Sequence, residues 1–137
     1  INKKVIRYST YAKEELATAD VFVIDTIGIL TQIYAYADIA YVGGAFKTGL
    51  HNILEPATYG APVVIGPKYS KFQEAKDLVA LGSCLIVNNT EELTATFNKL
   101  IEDKNYRNEL GEKNRAFVLE NKNATKVVMD FIETRKF

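Results

Sequence analysis

The 137-residue sequence contains one cysteine, one histidine and no tryptophan. The lone Cys84 cannot close an internal disulfide, and its place in an apolar run reads as that of a small buried hydrophobe. One histidine and one cysteine rule out the usual His/Cys zinc arrangements. Charge of one sign is lacking too. Lys+Arg and Asp+Glu stand at 17 each, so no global field draws the chain to nucleic acid or to a membrane surface. No apolar run approaches the roughly 20 residues that cross a bilayer, and no secretory signal pattern appears. Repeats, low-complexity tracts and linkers are absent as well. The length suits one domain, and 47% hydrophobic residues suffice for a single core. Because the chain begins at Ile1 in a polar approach to a strand, it reads as a piece of a longer protein.

What is present is concentrated between Tyr41 and Ala75. Ala40-Tyr41-Val42 reads as a strand, residues 43–49 as a glycine-bearing loop, and a helix is expected to open near His51-Asn52. Gly43, Gly44 and Gly49 let the backbone approach a ligand closely. A helix start behind them presents unpaired N–H groups and a positive dipole end, which suits a phosphate. Glu55 follows His51 by four residues and Asn52 by three, so the three share one face, and a carboxylate there can accept both hydroxyls of a ribose. The set points to a nucleotide, and to a nucleotide-sugar in particular. It matches neither GxGxxG nor GxxxxGK[ST]. Each member also has a plainer reading: a common α/β loop, a helix-start histidine, a first-turn acid favoured by the dipole.

Along the rest of the chain, Lys4 to Ser9 is a strand candidate and Tyr11 to Asp20 a polar, helical connection. The continuous run Val21 to Ile24 suggests a parallel strand buried on both faces. Asp25-Thr26 supplies an N-cap for a helix marked by Leu30, Ile33, Tyr34 and Ala37. Strands at Ile39 to Val42, Pro62 to Ile65 and Leu85 to Val87 alternate with helices 51–59, ending at Gly60, and 71–81, ending at Gly82. Beyond residue 90 the pattern is helical only. Leu93, Phe97, Leu100 and Ile101 form one apolar face, Tyr106, Leu110 and Phe117 a second, and Ala124, Val127, Val128, Phe131 and Ile132 a third; all three are expected to pack into the core. The fold class is α/β: a Rossmann-like, mainly parallel sheet with helices on both faces and a helical C-terminal end, residues 1–137 forming a single domain. Ligands of such sheets sit beyond the carboxyl ends of the strands. Here those ends are residues 25–28, 43–49 and 66–68.

The segments DTIG (25–28), YAYADIAYVGG (34–44), HNILEPA (51–57) and GAPVVIGP (60–67) resemble the 3-deoxy-D-manno-octulosonic acid (Kdo) transferases. The resemblance covers most of the chain from about Lys4 onward. It implies a two-domain GT-B glycosyltransferase of which this chain is the C-terminal, donor-binding half. Members take CMP-Kdo as donor and build the inner core of bacterial lipopolysaccharide on a lipid A precursor, at the cytoplasmic face of the inner membrane.

Carried over by position, Ile27 and Gly28 approach the cytosine through main-chain groups. Gly49, His51 and Asn52 hold the phosphate, Glu55 binds the ribose, and Gly43 and Gly44 belong to the same donor-nucleotide set. Lys47 adds positive charge near the phosphate or the sugar carboxylate. The resemblance implies no cofactor besides the donor substrate and no metal for departure of CMP, since N–H groups and the dipole neutralise it. Ile29 stands where many members carry an acid, and the glycine loop is shorter than is usual. No catalytic residue is expected here: the general base, the membrane anchor and the acceptor side belong to an N-terminal domain, and a Pro-Arg-His segment with a central strand precedes the matched region. The chain alone is thus expected to bind donor without catalysis, to expose a sheet edge and to self-associate through it. Other readings left open are a GT-B donor domain for a UDP- or GDP-sugar and a non-catalytic nucleotide-binding module.

Overall fold

In this computed structural model residues 3–47, 49–122 and 124–134 are described. They divide into two compact units, 1–33 and 34–137.

In the first unit β1 (Val5–Arg7) and β2 (Val21–Val23) pair in parallel, Val5 opposite Val21 and Arg7 opposite Val23. A 3-10 turn at Lys13–Thr18 connects them. Two aspartates stitch the strand ends. Asp20 accepts from the Lys4 N–H at 2.9 Å. Asp25 accepts from the Ser9 N–H at 3.0 Å and from its Oγ at 2.7 Å, with Arg7 at 3.6 Å. Asp25 therefore caps no helix: α1 (Leu30–Ile33) starts five residues later and gives way to a 3-10 turn at Tyr34–Tyr36. The expectation that the Val21 run is buried on both faces also fails, since Val21 and Phe22 are exposed. A two-stranded sheet gives β2 one neighbour only. Phe22 packs instead against Tyr11 and Tyr8, ring centroids 5.2 and 6.1 Å away.

The second unit holds a parallel sheet in the order β3 (Ala40–Val42), β4 (Val63–Ile65), β5 (Cys84–Ile86). The register sets Ala40 opposite Val63 and Val63 opposite Cys84. Strand alternation divides the core in two. Val63 and Ile65 face one cluster with Val42, Ile53, Ala57 and Leu78. Val64 faces another with Val87, Leu100 and Leu110. All three β4 residues are fully buried, at about 1.5–3 kcal/mol of burial energy each. Helices thus cover both faces here: α2 (Leu54–Thr58) and α3 (Gln73–Ala80) on one, α4 (Thr90–Glu102) on the other, with α5 (Lys104–Asn121) reaching both clusters. Strand β3 is an edge of this sheet.

Helices α4 and α5 are each capped by a local side chain. Asn89 Oδ1 caps α4 by accepting from the Glu92 N–H at 2.8 Å, and Asp103 does the same for α5 through Tyr106. Gly111 lets the α5 backbone lie directly on Gly60; a Cβ there would overlap the Gly60 carbonyl oxygen. Beside that contact Asn114, fully buried, donates to the Ala61 carbonyl at 2.8 Å, and Arg115 donates to Tyr59 at 2.9 Å. Two expectations need correction. Ile101 is 60% exposed, because Leu100 takes the inward position. The apolar stripe of α6 (Ala124–Thr134) does not enter the core: Val127, Val128, Phe131 and Ile132 are 50–66% exposed. Periodicity shows that a helix has an apolar face, not that its own chain covers it.

Candidate nucleotide site

Strand β3 runs into the loop at Gly43, which folds back on itself. The Gly44 carbonyl accepts from the Lys47 and Gly49 N–H groups, each at 3.1 Å, and the Gly43 carbonyl accepts from His51 at 3.2 Å. Gly44 has φ +92, and a Cβ on it would overlap the Gly49 carbonyl oxygen and lie 2.7 Å from His51 Cδ2. Only glycine fits that bend.

The backbone bond from His51 to Gly43 keeps residues 51–53 in the loop. The helix expected to open at His51-Asn52 accordingly begins at Leu54 and spans five residues, ending before Gly60. So short a helix carries little macrodipole with which to neutralise a phosphate. Asn52 joins loop to helix. Its Oδ1 accepts from the Leu54 N–H at 3.0 Å, and its Nδ2 donates to Glu55 Oε1 at 2.9 Å. One carboxylate oxygen of half-buried Glu55 is thereby held, and among the described residues Oε2 keeps its capacity to accept. Tyr34 sits near enough to feel that carboxylate: burial first, and then the Glu55 charge, raise its phenol above the ordinary value.

The loop after β4 lies alongside. Lys68 N–H donates to the Ala45 carbonyl at 2.9 Å, and Gly66 packs under the Phe46 ring. Between the two loops is a cavity of about 460 Å³ lined by Lys47, Gly49, Pro67, Lys68, Ser70, Lys71 and Phe72.

The structure therefore brings Gly43, Gly44, Lys47, Gly49, His51, Asn52 and Glu55 into one loop and the turn behind it. Ile27, fully exposed, and Gly28, with φ +96, follow β2 in the first unit. Sequence reasoning passed over Tyr34, read only as an apolar helix position, and Ser70 and Lys71, the latter read as a helix start. The available signal was the pair of lysines flanking Tyr69-Ser70 directly after a strand-end Gly-Pro. Among the described residues no three His, Cys, Asp or Glu side chains gather where they could hold a metal ion, and no helix is long and apolar enough to cross a membrane.

No protein-family model matches the chain. Several curated proteins do, each named 3-deoxy-D-manno-octulosonic acid transferase. The Chlamydophila psittaci protein is 37% identical over 66% of this chain and 22% of its own length. The Chlamydia muridarum protein is 31% identical over 86% and 28%, and the Haemophilus influenzae protein 31% identical over 97% and 32%. The chain thus spans between a fifth and a third of these relatives. Among solved structures, the C-terminal CMP-Kdo binding domain of WaaA from Acinetobacter baumannii matches with a TM-score of 0.74 and 26% identity, over 84% of this chain and 61% of that one. The sequence relatives and the solved domain agree, and the chain belongs to the 3-deoxy-D-manno-octulosonic acid transferase family, corresponding to the C-terminal domain of its members.

Proposed function

We propose that this chain is the donor-binding part of a glycosyltransferase that moves Kdo from CMP-Kdo to a lipid A precursor in lipopolysaccharide biosynthesis. The observation that carries the reading is Glu55, its carboxylate held by Asn52 directly behind the Gly44–Gly49 bend. Glu55 Oε2 accepts the ribose hydroxyls. The loop around Gly43, Gly44 and Gly49, with His51 and Lys47, meets the phosphate, and the main chain of Ile27 and Gly28 serves the cytosine. The reading needs no metal, because N–H groups and ammonium charge can stabilise the departing phosphate. The general base and the acceptor cleft belong to a preceding domain, at the cytoplasmic face of the inner membrane in the whole protein. The chain alone binds donor without transferring it, since proximity of base and acceptor is what the chemistry requires.

The test is a titration of the chain with CMP, UMP and GMP, read by amide shifts. CMP is expected to bind best and to move Gly49, Asn52 and Glu55. Glu55→Gln, which can still accept from Asn52, removes charged hydrogen bonds worth about 1.5–3 kcal/mol and should weaken CMP roughly 10- to 100-fold. Tighter binding of UMP or GMP, unchanged binding by the variant, or no response to any nucleotide overturns the reading.

A further inference from the structure

We propose that the cavity between the loop after β3 and the loop after β4 is the subsite for the donor sugar's carboxylate, held by Lys68, Lys71 and the Ser70 hydroxyl. This inference rests on the donor-binding reading above. Three ammonium groups, those of Lys47, Lys68 and Lys71, line the one cavity, and no acidic residue lines it. None of the three is paired with a carboxylate among the described residues. Like charges gathered without a carboxylate partner repel, and an anion entering between them relieves that repulsion. The volume of about 460 Å³ suits a small ligand rather than a single ion.

Position selects the anion. Gly49 belongs both to the cavity wall and to the bend that leads to Asn52 and Glu55. The cavity thus opens where the nucleotide loop ends, at the place of the group esterified to the phosphate. In a 2-ulosonic acid the carboxyl carbon is bonded to the anomeric carbon, which carries the phosphate ester, so the sugar's carboxylate must lie next to the phosphate. Lys47 shares the cavity but belongs to the nucleotide loop, and is left to the phosphate. Lys68 and Lys71, on the other wall, take the carboxylate through charge-assisted hydrogen bonds. Phe72 gives the sugar ring an apolar wall. A neutral hexose in the same place would leave both lysines unpaired, so the site rejects neutral donors as well as accepting the acid.

The experiment titrates the chain and its Lys68→Gln/Lys71→Gln variant with CMP and with freshly prepared CMP-Kdo at one salt concentration. Gln keeps a donor and removes the charge, and both side chains are exposed, so a native-like amide spectrum is expected of the variant. The native chain should bind CMP-Kdo about tenfold tighter than CMP, with the Ser70 and Lys71 amides moving for CMP-Kdo alone. In the variant the two ligands should bind equally, CMP having changed less than about twofold. Equal weakening of both ligands would assign the lysines to the phosphate and overturn the proposal. So would CMP binding with no lysine-dependent gain from the sugar, an outcome that leaves the nucleotide reading standing. Failure of the native chain to bind either ligand overturns both.

Discussion

Gly111→Ala should unfold the second unit more readily although alanine is the better helix former. In an ordinary helix interior the change gains about 1 kcal/mol. At position 111 the new Cβ overlaps the Gly60 carbonyl oxygen and lies 3.0 Å from its carbon. Neither atom can turn away as a side chain would. The overlap is relieved only if α5 retreats from the turn after α2, and overpacking of this kind costs about 1–3 kcal/mol. Retreat also pulls Asn114 from the Ala61 carbonyl, now 2.8 Å away, and Arg115 from Tyr59. Among the described residues the Asn114 Oδ1 already lacks a partner, so stranding its amide in a buried site adds about 1–3 kcal/mol. Subtracting the helix gain leaves a loss of about 3 kcal/mol, a fall in Tm of roughly 10 °C for a chain of this size. Thermal unfolding followed by circular dichroism measures it, with amide exchange at Val64 and Leu110 reporting the second unit by itself. Exposed Glu112→Ala is the control and should change stability by less than about 0.5 kcal/mol. Because the turn held by Gly111 ends the helix that carries Glu55, CMP binding should weaken in step. A Gly111→Ala chain as stable as the native one, with an unchanged control, would refute the argument that backbone contact sets the spacing of α5 and α2.

Gly44→Ala should disorganise the glycine loop without melting the core. Left-handed strain costs about 1–2 kcal/mol, and the Cβ overlaps the Gly49 carbonyl, so amides 45–52 shift and CMP binding is lost while exchange at Val64 is unchanged; retained CMP affinity counts against it. The Cys84 thiol, pushed up to about 12 by burial, should be alkylated at pH 8 on the order of 100-fold more slowly in the native chain than in urea. Its raised value also means that stability present below the ordinary thiol range is lost as pH climbs toward 12; equal alkylation rates would show that the thiol is not buried. Asp25 is held below its ordinary value of 3.8, first by the Ser9 hydroxyl and then by the Ser9 N–H. The bond it makes therefore stabilises the β1–β2 pair above that range and fails as pH falls through the lowered value. The Ser9 amide shift should titrate with a midpoint below 3.8, and a midpoint at or above it refutes the assignment.

Much of the architecture was legible because it depends on local pattern. The run Val63 to Ile65, bounded by Gly60 and Gly66, read as a strand in the α/β alternation, and the three-residue spacing of Asn52 and Glu55 already made them neighbours. What escaped the sequence depends on partners distant along the chain. Asp25 looked like a helix cap until Ser9, sixteen residues earlier, claimed its carboxylate. The helix expected from residue 51 lost its first turn to a backbone bond between His51 and Gly43. Lys71 read as a helix opening, and only the fold sets it across a cavity from Lys47. For α6, the spacing of Val127, Val128, Phe131 and Ile132 described a face without saying what lies against it.

The bond between Asn52 and Glu55 also bears on how affinity divides between enthalpy and entropy. A free glutamate must surrender several rotamers when it grips a ligand, a loss of about 0.5–1.5 kcal/mol for each side chain so immobilised. Here that ordering has taken place during folding, at 2.9 Å from Asn52, before any ligand arrives. Calorimetry of Asn52→Ala should then differ in kind from that of Glu55→Gln. The first leaves the carboxylate able to accept its hydrogen bonds and withdraws favourable entropy; the second removes heat.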